Sequence, residues 1–166
     1  MKAVSEKLKK GLNKQITAEF ESAYLYLSMA NYLEDQGFAG MSRWFRLQAE
    51  EEKNHAVKIN DFLMMRKIVP DLDEVKSASG SWNDVIAVLR EAYLHECSVS
   101  DMIFDLIAQA MEDEDFASVS FLQWFVDEQL EEESQSLALS EKSISLQGNV
   151  VGLMLLDSEM GSRKEK

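Results

Sequence analysis

Cysteine, proline and glycine are all scarce in this sequence: its 166 residues include one cysteine, one proline and seven glycines. The single cysteine, Cys97, excludes an intrachain disulfide and is compatible with a reducing cytoplasm, where we expect the protein to reside. So few helix-breaking residues, beside a hydrophobic fraction of 46%, favour a mostly helical chain. The length predicts a single domain covering residues 1–166.

Long apolar runs and excess positive charge are also missing. No stretch of 18 uncharged apolar residues occurs, so we expect no membrane-spanning helix. The basic first residues have no apolar run behind them, so we expect no secretory signal. Acidic residues outnumber lysine and arginine by 30 to 17, giving a net charge of −13. A chain with this charge would repel phosphates, which argues against a nucleic-acid partner. The same charge suits a protein that attracts cations.

The residues that are present repeat with helical spacing. Apolar side chains recur every three or four positions over 5–34, 38–67, 82–111 and 116–145, which predicts four long helices in a bundle from about residue 5 to 145. Turn signals around Gly37 and in the acidic run 112–115 separate the helices of each pair. A short apolar helix is predicted at about 149–160, and we expect a disordered tail at 161–166.

The connection at 68–81 separates the two helical pairs and carries the only proline, Pro70. Loops of this length are uncommon inside a compact domain without a reason. Fully extended it reaches about 46 Å at ~3.3 Å per residue. The preceding helix is about 40 Å long at ~1.5 Å per residue. We therefore expect a crossover that runs the length of the bundle, which makes the second and third helices parallel.

Polar residues interrupt the apolar stripe of every long helix. In the first helix, for example, the stripe passes through Ile16, Ala23 and Leu27. Glutamate is almost never fully buried without a partner, so inward carboxylates need compensation, and a metal ion is one candidate. The interrupting residues are Glu19 in the first helix, Glu52 and His55 in the second, Glu96 in the third, and Gln129 and Glu132 in the fourth.

The spacing of these residues is repeated. Glu19 precedes Glu52 by 33 positions, and Glu96 precedes Gln129 by the same number. A further polar residue follows three positions after each pair, and the two sets are offset by 77. The midpoint of each pair falls on a turn signal, as expected for residues that face each other in an antiparallel hairpin. The sequence therefore predicts two equivalent hairpins, each with three inward polar side chains at one level.

This set of residues resembles the ferroxidase centre of bacterial non-haem ferritins. The strings AEEE at 49–52, HE at 95–96 and FLQWF at 121–125 resemble that family too, and the similarity covers nearly the whole chain. The resemblance implies an all-α, ferritin-like four-helix bundle with a long crossover between helices two and three and a short fifth C-terminal helix.

The resemblance also implies a di-iron centre. Glu19, Glu52 and His55 would hold the first iron, and Glu96 and Glu132 the second. Glu52 would bridge the two ions, and Gln129 would be a weak neutral ligand near the second. Carboxylates and one imidazole suit iron, and four carboxylates balance two divalent ions.

Further positions resemble accessory sites of the family. Glu51, Glu128 and Glu131 resemble a third iron site, although taken alone they describe a solvated acidic face. Tyr26 and Trp124 resemble aromatic residues that donate electrons near the centre, although ordinary core packing explains them equally well.

Two departures from related families bear on haem. Gln129-x-x-Glu132 stands where many di-iron bundles have Glu-x-x-His, which resembles ferritins rather than bacterioferritins. Lys53 stands where a bacterioferritin would place its haem-ligating methionine, and an ammonium group cannot ligate haem iron. We therefore expect no haem.

By resemblance, the protein stores and detoxifies iron. It would oxidise Fe(II) with dioxygen or peroxide and deposit a ferric mineral inside a hollow shell of 24 chains, with the C-terminal helix either packing on its own bundle or lining an assembly contact. The alternatives are a rubrerythrin-like di-iron peroxidase, which one cysteine disfavours, a DNA-binding mini-ferritin, and a metal-free structural bundle.

Overall fold

The computed structural model describes residues 3–78 and 80–164, and in that part of the chain it contains helices and no strands. The five helices are α1 (Glu6–Asp35), α2 (Ala39–Met65), α3 (Val85–Glu112), α4 (Phe116–Ser145) and α5 (Val150–Gly161). The expected all-α architecture of four long helices and a short fifth one is confirmed. No helix of the described ranges is long and apolar enough to cross a membrane.

The largest difference from the predicted boundaries lies at the start of the third helix. The apolar pattern places this start at Trp82, but α3 begins at Val85. The reason is a cap: Asp84 has an extended backbone, and its carboxylate accepts a hydrogen bond of 2.7 Å from the Ala87 N–H. Trp82 lies outside the helix and packs edge-on against Tyr32 of α1.

The connection between α2 and α3 crosses the whole bundle along α1. The Asp71 N–H donates to Asn13 at 3.2 Å, and the Lys76 N–H donates to Glu21 at 3.3 Å. The connection then reaches the Trp82–Tyr32 ring contact near the C-terminal end of α1. This progression confirms the long crossover and makes α2 and α3 parallel.

The apolar core forms two clusters, one toward each end of the bundle. Along α1, Leu12 and Ile16 belong to one cluster, and Met29 and Leu33 belong to the other. The predicted stripe is wrong at Leu27, whose side chain is 42% exposed. Its neighbour Tyr26 is buried instead. Between the clusters lies a layer of polar side chains.

α5 is fastened to the N-terminal end of α2. The N-cap residue of α2, Phe38, makes no side-chain hydrogen bond to the helix. Asp157 of α5 instead accepts a hydrogen bond of 2.7 Å from the Met41 N–H. The two helices come so close that a Cβ on Gly40 would lie 2.0 Å from the Asp157 carbonyl oxygen. This contact therefore requires a glycine at position 40.

The expected disorder of the tail is wrong for its first residues. Gly161 belongs to α5, and Arg163 packs against α2 through side-chain contacts described below. A charged residue near a chain end can be ordered when its side chain has partners, and Arg163 has them. The last two residues, 165 and 166, lie outside the described residues.

Candidate metal centre

The six polar residues that interrupt the helical stripes are all buried, and they lie in the layer between the two apolar clusters. They come from all four long helices. The exposed fraction is at most 6% for each of Glu19, Glu52, His55, Glu96, Gln129 and Glu132. The structure therefore brings together every residue of the expected di-iron centre.

Two groups of ligand atoms share one carboxylate. Glu19, Glu52 and His55 each offer an atom within 4.8 Å of the others, and so do Glu52, Glu96 and Glu132. Glu52 belongs to both groups, which is the arrangement that a bridging carboxylate needs. In the described residues a third such group joins His55 and Glu132 to Glu128, which is half-buried.

Hydrogen bonds hold the ligands in place. His55 Nδ1 lies 3.2 Å from Glu52 Oε2 and 4.0 Å from Glu19 Oε2. Gln129 Nε2 donates to Glu96 Oε2 at 3.2 Å and to Ser100 at 3.3 Å. Gln129 thus acts here as a donor that positions Glu96, and it must rotate its amide to offer an oxygen to a metal ion.

Two glutamines support the carboxylates of the first hairpin, and they are not among the residues predicted from the sequence. Gln15 Nε2 donates to Glu19 at 2.9 Å, and Gln48 Nε2 donates to Glu52 at 2.9 Å and to Glu132 at 3.0 Å. Both glutamines are buried. Each stands four positions before its glutamate, so the two are themselves 33 positions apart. The repeat that identifies the carboxylates could have identified them too.

Two carboxylate oxygens point into the layer without a hydrogen-bond partner. These are Glu19 Oε2 and Glu132 Oε2, and both atoms are inaccessible to solvent. A buried carboxylate oxygen is costly unless it is hydrogen-bonded or coordinates a metal. Hard oxygen donors with one imidazole are a ligand set that fits iron. The residues present therefore fit a pair of metal ions.

Burial sets the protonation of the metal-free site. It raises the pKa of Glu19 and Glu132 well above the usual range, and the neighbouring Glu52 charge adds to the effect. The same two causes raise the pKa of Glu96 to about 7. Burial also opposes ionisation of Glu52, but hydrogen bonds from His55 and Gln48 outweigh it, and the pKa of Glu52 is lowered.

The pKa of the His55 imidazole also depends on Glu52. Burial on its own would lower the pKa of His55, but the hydrogen bond to Glu52 and its charge raise it. In the metal-free site these pKa shifts favour ionisation of Glu52, protonation of His55 and retention of protons on the other carboxyl groups. A divalent ion requires deprotonated ligands, so its binding should release these protons.

Substituting Glu96 tests these protonation states. Its raised pKa means that the folded metal-free protein holds a proton between about pH 4.5 and 7 that the unfolded chain releases. Stability should therefore fall as pH rises through this window, by on the order of 3 kcal/mol. Glutamine does not titrate, so the advantage of Glu96→Gln in melting temperature over the parent should grow from pH 5 to pH 8. We would measure both in metal-free buffers.

The exposed Glu50→Gln protein is the matched control, since its carboxyl lies at the surface beside Lys53. It should follow the parent at every pH. A constant difference between Glu96→Gln and the parent across the range would contradict the assigned protonation.

The three residues of the expected third site have different surroundings. Glu51 accepts a hydrogen bond from Arg163. Glu128 belongs to the group with His55 described above. Glu131 is exposed and accepts a hydrogen bond from Gln135 at 2.7 Å, and it belongs to none of the three groups. The structure thus places Glu128 at the centre and leaves Glu131 on the surface.

Both aromatic residues lie beside the centre. The Tyr26 hydroxyl donates to Glu96, and burial followed by the charge of Glu96 raises the pKa of Tyr26 well above its usual range. The Trp124 ring lies 5.5 Å from the His55 ring, edge to face, and Lys58 Nζ lies 3.9 Å above the indole.

A four-helix bundle with a long crossover, built around buried carboxylates and one imidazole, is the class of protein that the fold and the candidate metal centre define. The sequence model of the ferritin-like domain matches residues 9–142. The chain belongs to this family, the ferritins. The resemblance seen in the sequence is therefore confirmed.

Named relatives agree with this membership. A bacterial non-heme ferritin of Bacteroides fragilis is 35% identical over 96% of this chain and 99% of its own. A probable bacterial non-heme ferritin-like protein of Haemophilus influenzae is 30% identical over 98% of this chain and 99% of its own. The solved structure of a novel open-pore ferritin from the archaeon Archaeoglobus fulgidus has a TM-score of 0.96 and 41% identity, covering 98% of this chain and all of that one.

Proposed function

We propose that the protein is a ferroxidase that stores iron. The observation that carries this proposal is the pair of ligand groups sharing Glu52, in a chain that belongs to the ferritin family. Fe(II) is the substrate. Glu19, Glu52 and His55 hold one ferrous ion, and Glu52, Glu96 and Glu132 hold the other.

The chain supplies positioning and protons for the oxidation. The two ferrous ions give one electron each, and dioxygen takes up two electrons and two protons to form hydrogen peroxide. Peroxide in turn can accept two electrons from a second pair of ions. The carboxyl groups of Glu19, Glu96 and Glu132 give up protons when the metal binds, because their raised pKa values keep them protonated in the metal-free site.

A cavity beside the centre offers a route for Fe(II). Its volume is about 260 Å³, and its walls include two carboxylates and His55. Of these walls, the two carboxylates are the groups that attract a divalent cation and raise its local concentration. The lining residues are Glu51, Asn54, His55, Lys58, Trp124 and Glu128.

We also propose that Glu51, Glu128 and Glu131 bind a third iron and that Gln129 turns its amide oxygen to the second one. Glu128 already faces the centre, and the half-buried Glu51 needs only a change of partner. We propose Tyr26 and Trp124 as electron donors, which is supported by the hydrogen bond from the Tyr26 hydroxyl to Glu96 and by the contact of the Trp124 ring with His55. No haem takes part in this scheme.

The ferric product is stored inside a shell of 24 chains in the cytoplasm. The assembly is supported by the named relatives and by α5, which exposes an apolar face. That face comprises Val150, Val151, Met154 and Leu155, each at least 60% exposed in the single chain. Exposed apolar area of this kind is typical of an association surface. The net charge of −13 disfavours nucleic acid as a partner.

Particle mass and iron uptake test the storage function together. We expect the purified protein to run as a particle near 24 chains, and its mass to rise after aerobic Fe(II) loading by many irons per chain. Analytical ultracentrifugation before and after loading measures both. A monomer that takes up at most two or three irons per chain would contradict storage and favour a simple di-iron enzyme.

A further inference from the structure

The segment after α5 returns to the metal centre through one arginine. Arg163 Nη1 donates to Gln48 Oε1 at 2.9 Å, and Nη2 donates to Glu51. Its guanidinium carbon lies 4.6 Å from the centre of the Trp44 ring, a cation–π contact. Arg43 fixes the backbone at the same place by donating to the carbonyl of Arg163.

This arginine is held more firmly than an ordinary surface side chain. The side chains of Arg163 and Glu51 are only 14% and 17% exposed. The guanidinium is a fork of donors with no acceptor, so the atom it meets on Gln48 must be the carbonyl oxygen. The Gln48 amino group is thereby directed to Glu52 and Glu132, which are metal ligands.

The contact with Glu51 opposes cation binding at the same carboxylate. Glu51 lines the cavity beside His55 together with Glu128, where a further cation would bind. A cation that takes Glu51 as a ligand must displace the Arg163 guanidinium or share the carboxylate with its positive charge. Both are unfavourable, since like charges repel and the displaced arginine loses its partner.

We propose that Arg163 is a positioning residue that competes with a cation for Glu51, so that the third site fills only when the C-terminal segment leaves it. This proposal rests on the proposed iron function. The two-metal centre fills with the segment in place, while the third cation releases Arg163 from Glu51 and from the Trp44 ring. The segment thus sets the order in which the sites fill.

Zinc titration of the metal-free particle tests the competition without relying on turnover. Calorimetry with Zn(II) on the parent should show two tight sites and one weaker site per chain. In Arg163→Gln the weaker site should tighten about five- to tenfold, because the competing ion pair is gone. Arg163→Lys keeps the charge but loses the two-pronged contact, so its affinity should fall between the two.

The control is Lys142→Gln, which removes one positive charge from an exposed pair with Glu159 of α5. It should titrate as the parent does. Tryptophan emission provides the second readout. It should change as the third equivalent of Zn(II) binds to the parent, and this change should be smaller in Arg163→Gln and in Trp44→Phe, where only Trp124 of the cavity wall still responds.

The outcomes separate the two proposals. Two tight sites in every protein, with a weaker site of equal affinity in parent, Arg163→Gln and Lys142→Gln, would overturn the role of Arg163 and leave the iron function standing. No Zn(II) binding to any of them would overturn the metal centre itself, and the role of Arg163 with it.

Discussion

The rate of fast Fe(II) oxidation should fall by about two orders of magnitude or more when Glu52 is replaced by alanine. Among the described residues, Glu52 alone belongs to both the group with Glu19 and the group with Glu96, and it also accepts hydrogen bonds from His55 and Gln48. Its removal therefore disturbs both metal positions at once. Rapid mixing of the metal-free particle with Fe(II) in air, followed by absorbance of the ferric product, measures the rate.

The matched control lies two positions away on the same helix. Glu50→Ala removes a carboxylate that is 67% exposed and paired with Lys53, so it should oxidise Fe(II) as the parent does. His55→Ala should behave like Glu52→Ala, while Glu131→Ala should alter the stoichiometry of oxidation more than its rate. A Glu52→Ala protein with the parent's rate would show that the ligand assignment is wrong.

The second large effect concerns stability. Asp115 is buried, pairs with Arg66 at 3.0 Å, and accepts both the hydroxyl and the N–H of Ser118. It therefore caps α4 and ties that helix to the end of α2. Asp115→Ala should destabilise the fold by about 3 kcal/mol, because a buried charge loses its partner and a helix its cap. For a chain of this size the melting temperature should fall by about 6–12 °C.

The control Asp127→Ala removes an exposed aspartate from the middle of α4 and should leave the melting temperature nearly unchanged. The pH dependence has a definite sign. Burial opposes ionisation of Asp115, but hydrogen bonds from Arg66 and Ser118 outweigh it and lower its pKa. The stabilisation is therefore present above pH 3.8 and is lost below it. Equal melting of Asp115→Ala and the parent at pH 7 would contradict this role.

The sequence predicts the bundle and its polar layer because both follow from periodicity. Helical spacing is a local property, and the repeat at 33 positions relates residues across each hairpin without any knowledge of the fold. The length of the connection at 68–81 is enough to predict the crossover, because only a long segment can join two hairpins when the second and third helices run parallel. These features need few assumptions about side-chain geometry.

The remaining features depend on contacts that periodicity does not encode. The repeat of 33 positions predicts where Gln15 and Gln48 lie, but it does not predict that their amides donate hydrogen bonds to Glu19 and Glu52. Arg163 donates a hydrogen bond to Glu51, which lies 112 positions earlier in the sequence. The polar residues next to Arg163 in the sequence predict a disordered tail instead. Tyr26 is buried in the core and Leu27 is not, because the Tyr26 hydroxyl donates a hydrogen bond to the buried Glu96. The apolar stripe predicts only the burial of apolar side chains.

The attachment of α5 to α2 has a consequence for the proposed assembly of chains into a shell. Asp157 on the backbone of Met41, the close approach at Gly40 and the buried Leu156 fix the helix at several points before any partner arrives. Its outward apolar side chains are thereby presented in a single orientation. A preorganised surface loses less conformational entropy on association than a mobile one. Part of the entropy loss of building a shell would then already be incurred when each chain folds.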